Sequence, residues 1–173
     1  MWTMQPWTVM MSNDRAIRHL PVILSIIVAL ALTMLPLPRV IEVFRPNWVA
    51  LIMIFWALSV PRSYSVGIAW VVGIVLDVSH GTLLGQYALA LCVVVYIVVR
   101  FHLLMRVFPP LQLTATVFAL IALYQFLLFW INGVAGITAP AIVYWAPVLT
   151  SAILWPLIFT LLSGVSFRVQ MRS

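Results

Sequence analysis

The chain reads as an all-α membrane protein of about six transmembrane helices, and three observations predict that class. Charged residues make up 7% of the chain and hydrophobic residues 65%, with a mean hydropathy of +1.19. Ordinary globular domains carry about 25% charge, so too little polar surface exists here to clothe a soluble fold. Second, eleven of the twelve charges lie at the ends of apolar runs or in the breaks between them, Asp77 being the exception. Third, uncharged runs near bilayer length recur along the chain, and about 20 apolar residues suffice for one helical crossing.

The elements follow in order. A polar leader rich in Met and Trp, residues 1–19, precedes apolar runs at about 20–35, 46–60, 64–80, 86–99, 111–131 and 141–162. Residues 20–162 are thus read as one six-helix domain and 163–173 as a short basic cytoplasmic tail. The second, third and fourth runs are short for a full span, which calls for little tilt, borrowed ends or a thinned bilayer. Proline marks the breaks at Pro36, Pro38, Pro61, Pro109, Pro110 and Pro140. Pro46 suits a first helical turn, where its missing N–H is no loss. Pro147 and Pro156 fall inside the last run and predict a kinked helix whose freed carbonyls Thr150 and Ser151 could satisfy.

Arginine sets the expected orientation. Every basic residue is Arg, and the formal net charge is +6. With six spans, Arg15, Arg18, Arg62, Arg100, Arg106, Arg168 and Arg172 share one side and only Arg39 and Arg45 the other. The positive-inside rule then puts both termini in the cytoplasm. The first apolar run ends Met34-Leu35-Pro36 without a small-residue cleavage site, so an uncleaved first helix is expected. Trp48, Tyr64, Tyr87, Trp130, Tyr144 and Trp145 fall near predicted interfaces, as an aromatic belt would.

Several functions are disfavoured. No basic run or aromatic-basic patch suggests nucleic acid. Cys92 is the single cysteine, so neither an internal disulfide nor a cysteine metal cluster is available. No serine nucleophile motif, His-Glu zinc motif, phosphate-binding glycine loop or two-aspartate pattern appears. A non-enzymatic protein without cofactor or metal is expected.

Two stretches remain as candidate sites. Phe44-Arg45-Pro46-Asn47-Trp48 precedes the second span. Arg45 offers a planar fork of donors, Asn47 a hydrogen-bonding amide and Trp48 an interfacial anchor. The stretch serves equally as a helix start and as a contact for a partner or a lipid headgroup. The second stretch runs from Gly73 to Gly85. If helical throughout, Gly73, Asp77, Gly81 and Gly85 share a face on which glycines permit close helix packing. An acid at membrane depth is costly and marks a functional candidate. Asp77 and His80, three apart, could touch, so packing, partner binding and a proton relay all stay open for this stretch.

At these two stretches the sequence resembles the rod shape-determining MreD family. The family's Arg-Pro-Asn-Trp run opening the second helix stands here as Arg45 to Trp48, and its Asp with Gly at the fourth and eighth positions as Asp77, Gly81 and Gly85. Trp155-Pro156 in the last helix is also similar. The leader before Asp14 is longer than the family's, and His80 stands where a small residue is commoner. The resemblance implies a multi-pass component of the bacterial inner membrane that takes part in side-wall peptidoglycan synthesis. It also implies binding to MreC and, with or through it, to MreB, RodA and a penicillin-binding transpeptidase.

Arg45, Pro46, Asn47, Trp48 and Asp77 become the expected partner-binding residues, with Arg45 and Asp77 within reach of each other, and Gly73, Gly81 and Gly85 the packing residues. The family is similar in fold to the substrate-binding subunits of energy-coupling-factor transporters. That likeness raises the alternative of a vitamin-type solute-binding subunit.

Overall fold

The computed structural model describes residues 7–36, 38, 42, 44–60, 66–136 and 144–170, with side chains from residue 20 to residue 164 of these. Six α-helices are seen among them: α1 (Trp7–Met34), α2 (Trp48–Ser59), α3 (Val66–His80), α4 (Gln86–Val107), α5 (Pro110–Val134) and α6 (Ala146–Gln170). Three segments are long and apolar enough to cross a membrane, namely α4, α5 and Ala146–Gly164 of α6. Leu20–Met34, α2 and α3 are shorter apolar helices.

The boundaries differ from the expected ones at polar residues that flank the apolar runs. Helix α1 begins at Trp7, inside the leader, and helix α4 continues past Arg100 to Val107. Arginine is a good helix former, so a charge at the end of an apolar run ends the apolar stretch and not the helix. Pro147 falls in the first turn of α6, where it removes no helical bond, and only Pro156 stands inside that helix. Thr150 Oγ1 donates to the carbonyls of Ala146 and Pro147, at 3.3 and 3.1 Å. Pro61, Arg62, Tyr64 and Pro140 lie outside the described residues.

Helix α2 is the core. Its twelve residues, WVALIMIFWALS, carry no charge, and every side chain from Val49 to Leu58 is buried. A helix that is hydrophobic all round is stable only where other helices surround it. Helices α1, α4, α5 and α6 all pack on α2, while α3 packs chiefly on α4. The neighbours run α3, α4, α5, α6, α1 in an arc about α2. Phe55 and Trp56 meet edge-on with ring centroids 5.3 Å apart, and Phe55 continues to Phe159 of α6 at 5.9 Å. Trp155 is buried beside Phe159. Trp56 Nε1 donates to Ser25 Oγ at 2.8 Å, which satisfies the one polar atom of that ring.

Outward faces of the other helices carry large apolar side chains such as Val71, Leu104, Phe126 and Leu157, as lipid contact requires. Of the aromatic belt, Trp130 is exposed, whereas Trp48, Tyr87, Tyr144 and Trp145 are half-buried against the core.

Candidate functional site

Helices α1, α3 and α5 end, and α2, α4 and α6 begin, at one end of the bundle, where most of the buried polar side chains collect. Asp77 lies one turn before the end of α3 and is completely buried. Its Oδ1 accepts from the backbone N–H of Tyr87 at 2.7 Å, and its Oδ2 from those of Gly85 at 2.9 Å and Ala88 at 3.4 Å. Thr82 Oγ1 donates to Oδ1 at 3.4 Å.

The first amides of a helix have no intrahelical acceptor, and an N-cap side chain normally supplies one. The N-cap of α4 is Gly85, which has no side chain and a φ of 99°. A carboxylate from the neighbouring helix fills the vacancy, and its charge also suits the positive end of the helix dipole.

The turn between α3 and α4 corrects the expected glycine ladder. The helix stops at His80, and Gly81 adopts φ 61°, the left-handed conformation that ends many helices. A Cβ added at Gly81 or Gly85 would meet nothing within 4 Å. Both glycines therefore serve the turn and not helix packing. Gly73 does serve packing, because a Cβ there would stand 2.2 Å from Ala88 Cα and 2.6 Å from Ala88 N. The backbones of α3 and α4 touch at that point, one turn before Asp77.

His80 does not bond to Asp77. Its Nδ1 lies 3.0 Å from the Leu76 carbonyl, and its ring stacks on Tyr87 with centroids 5.0 Å apart. A carbonyl only accepts, so Nδ1 is the protonated nitrogen.

Arg45 and Asp77, expected within mutual reach, are held apart. Arg45 Nη2 donates to the carbonyls of Leu32, at 2.9 Å, and Leu35, at the end of α1. Helices α1 and α3 occupy opposite ends of the arc around α2, so the two charges cap different helices. Pro46 precedes the N-cap and is not in the first turn of α2, which starts at Trp48 after Asn47.

Asn47 shows how deep that start is. Its backbone N–H donates to Ser151 Oγ of α6 at 2.9 Å, and its Nδ2 to Gln125 Oε1 of α5 at 3.2 Å. Gln125 stands nine residues before the end of α5, so α2 begins roughly 14 Å inside the bundle end. Trp48 is correspondingly recessed, packed on the core.

Sequence reasoning passed over the rest of this network. Gln125 Nε2 donates to the Tyr144 carbonyl at 3.1 Å. Gln86 Nε2 donates to Asn132 Oδ1 at 2.9 Å, and Asn132 Nδ2 to the Tyr144 hydroxyl at 3.1 Å. Gln86, Gln125 and Ser151 are buried. Uncharged amides inside apolar runs were the available signal, since such groups glue membrane helices together. At the opposite end Arg106 caps α2, donating from Nε to Leu58 O at 3.0 Å and from Nη2 to Ser59 O at 2.6 Å. Among the described residues, no group of three or more His, Cys, Asp or Glu could hold a metal ion.

Fold and site together define an integral helical membrane protein whose buried polar side chains join helix ends to one another. Residues 14–165 match the family model described as rod shape-determining protein MreD, and the chain belongs to that family. It is similar to the rod shape-determining protein MreD of Haemophilus influenzae, 25% identical over 148 residues, which cover 84% of this chain and 90% of the relative. Membership places the chain in rod-shape determination. No solved structure matches, so the expected likeness to energy-coupling-factor subunits rests on the family resemblance alone.

Proposed function

We propose that the chain is a non-enzymatic, multi-pass inner-membrane component of the cell-elongation machinery, with both termini cytoplasmic. In this reading it binds MreC and, with or through MreC, associates with MreB, RodA and a penicillin-binding transpeptidase during side-wall peptidoglycan synthesis. One observation carries the proposal: the buried polar side chains at one end fix a preformed surface. Asp77 has no free hydrogen-bonding face to offer a partner, because it is completely buried and its bonds stay within the chain. Its role is positioning. Asp77 holds the turn on which Leu83 and Leu84 are exposed, and these apolar side chains beside Val78 give a partner's transmembrane segment something to pack on.

The test is Asp77→Asn, which keeps the shape but offers one acceptor oxygen where two are used. Loss of rod shape and of MreC crosslinking, with the protein still inserted in the membrane, is expected. Normal shape with full crosslinking would sink the proposal.

A further inference from the structure

At the end of the bundle that holds Arg45, a lateral groove of about 470 Å³ opens between α1 and α6. Leu32 and Leu35 line one wall, Ile153 and Leu154 the other, and Phe44, Arg45 and Trp48 complete it. Its lining is almost wholly apolar, with Arg45 and Thr150 the two polar residues among those that form it. Phe44 and Leu35 are more than half exposed and Ile153 is 77% exposed, so the groove faces the surroundings and not the core.

Arg45 is incompletely satisfied. Nη2 reaches the two carbonyls of α1, whereas Nε is buried with no hydrogen-bond partner. Among the described residues, Arg45 has carbonyl acceptors only, and Asp77, the buried acid, is committed to α4. Nε is enclosed by protein, so a ligand in the groove answers the charge of the fork and not that atom. An uncompensated cation beside an apolar slot selects an amphiphile that carries an anion.

We propose that this groove holds one acyl chain of an anionic phospholipid, with the headgroup phosphate at Arg45. Guanidinium is the side chain best matched to phosphate oxygens. Volume decides between a lipid and a partner's helix. A helix about 10 Å across rises about 5.4 Å per turn, so one turn fills roughly 420 Å³. The groove takes about one turn, a small part of any transmembrane segment of about 20 residues. A single hydrocarbon chain is far thinner and lies along the groove with its end in the surrounding bilayer.

The inference is independent of MreC binding, because it is read on the isolated chain. The full-length protein, purified in neutral detergent, is incubated with phosphatidylglycerol or phosphatidylcholine, and retained lipid is counted by native mass spectrometry. About a tenfold preference for phosphatidylglycerol is expected, which a 1.4 kcal/mol difference would produce.

Arg45→Gln abolishes the preference, but it also removes the cap on α1. Ile153→Trp fills the groove from an exposed position and leaves Arg45 untouched, and it lowers retained phosphatidylglycerol about tenfold. Glycerol phosphate, which lacks the chain, leaves the lipid bound. Equal retention of the two lipids, full retention by Ile153→Trp, or displacement by glycerol phosphate each overturns the proposal. So does a photocrosslinker at position 153 that captures protein and no lipid in native membranes.

Discussion

Gly73→Ala tests the coupling between helix packing and the Asp77 cap. The new Cβ would stand 2.2 Å from Ala88 Cα, 2.6 Å from Ala88 N and 2.9 Å from Ala88 Cβ. Carbon atoms come to rest at about 3.5 Å, so α3 and α4 must part by about 1 Å at the crossing. Two of the three close atoms belong to backbone, which no rotamer change can remove. Overpacking of this kind costs about 1–3 kcal/mol. The same displacement stretches the bonds from Gly85, Tyr87 and Ala88 to Asp77, of which the 3.4 Å bond to Ala88 is lost first.

A weakened buried acceptor adds about 1 kcal/mol or more, giving a total of about 2–4 kcal/mol. At about 2–4 °C per kcal/mol for a chain of this size, the unfolding temperature in detergent falls by roughly 5–15 °C. Adding Ala88→Gly rescues little, because it removes only the 2.9 Å contact. Combining Gly73→Ala with Asp77→Asn costs less than the sum of the two, since both act on one cap. A Gly73→Ala protein that melts within 1 °C of the parent, or full rescue by Ala88→Gly, would refute the close-crossing argument.

Other substitutions probe the remaining joints. Gly85→Ala meets no steric neighbour, yet it forces a Cβ onto φ 99°, so a loss of about 1–2 kcal/mol is expected in the same melting assay, with Gly85→Asn milder. Arg106→Ala frees the Leu58 and Ser59 carbonyls at the end of α2 and costs about 1.5–3 kcal/mol, the range for bonds from a charged donor. Arg106→Lys, a point charge in place of a fork, recovers only part of this. Asn47→Asp sets a carboxylate against Gln125 Oε1. Turning the Gln125 amide to meet it forfeits the bond to the Tyr144 carbonyl, so Asn47→Asp is expected to melt lower than Asn47→Ala.

Composition made the helical membrane class legible, because apolar runs are a local property. The uniform apolarity of residues 48–59, which leaves no polar face, is the mark of the central helix in the sequence. Asp77 stood out by its placement. Its task did not, since capping a second helix across a turn depends on which amides lack an acceptor, and that follows from tertiary structure. The ladder of Gly73, Gly81 and Gly85 misled because a spacing of four means one face only while the helix continues. Gly81-Thr82 and Gly85-Gln86 carried the contrary signal, one glycine ending a helix and another opening the next. Gln86, Gln125 and Asn132 escaped notice for being uncharged, although a buried amide asks for partners as surely as a charge does.

The positions of the charges follow from helix length. Helix α2 is twelve residues, about 18 Å, against about 30 Å of hydrocarbon, and it starts deep inside the bundle, so its first turn stands where water is scarce. In that setting every free N–H and C=O at a helix end must be satisfied from within the protein. At three joints the sign suits the helix end that is capped: Arg106 lies at the C-terminal carbonyls of α2, Arg45 at those of α1, and Asp77 at the N-terminal amides of α4. The uncharged start of α2 is met by Ser151 and an amide chain.

Reversing a sign at any of these three sites should therefore be worse than deleting the charge. Asp77→Lys places an ammonium among three N–H groups, and a membrane-insertion assay should show it accumulating less than Asp77→Ala. Equal accumulation would mean that the carboxylate acts by its shape alone, and the dipole argument would fail with it.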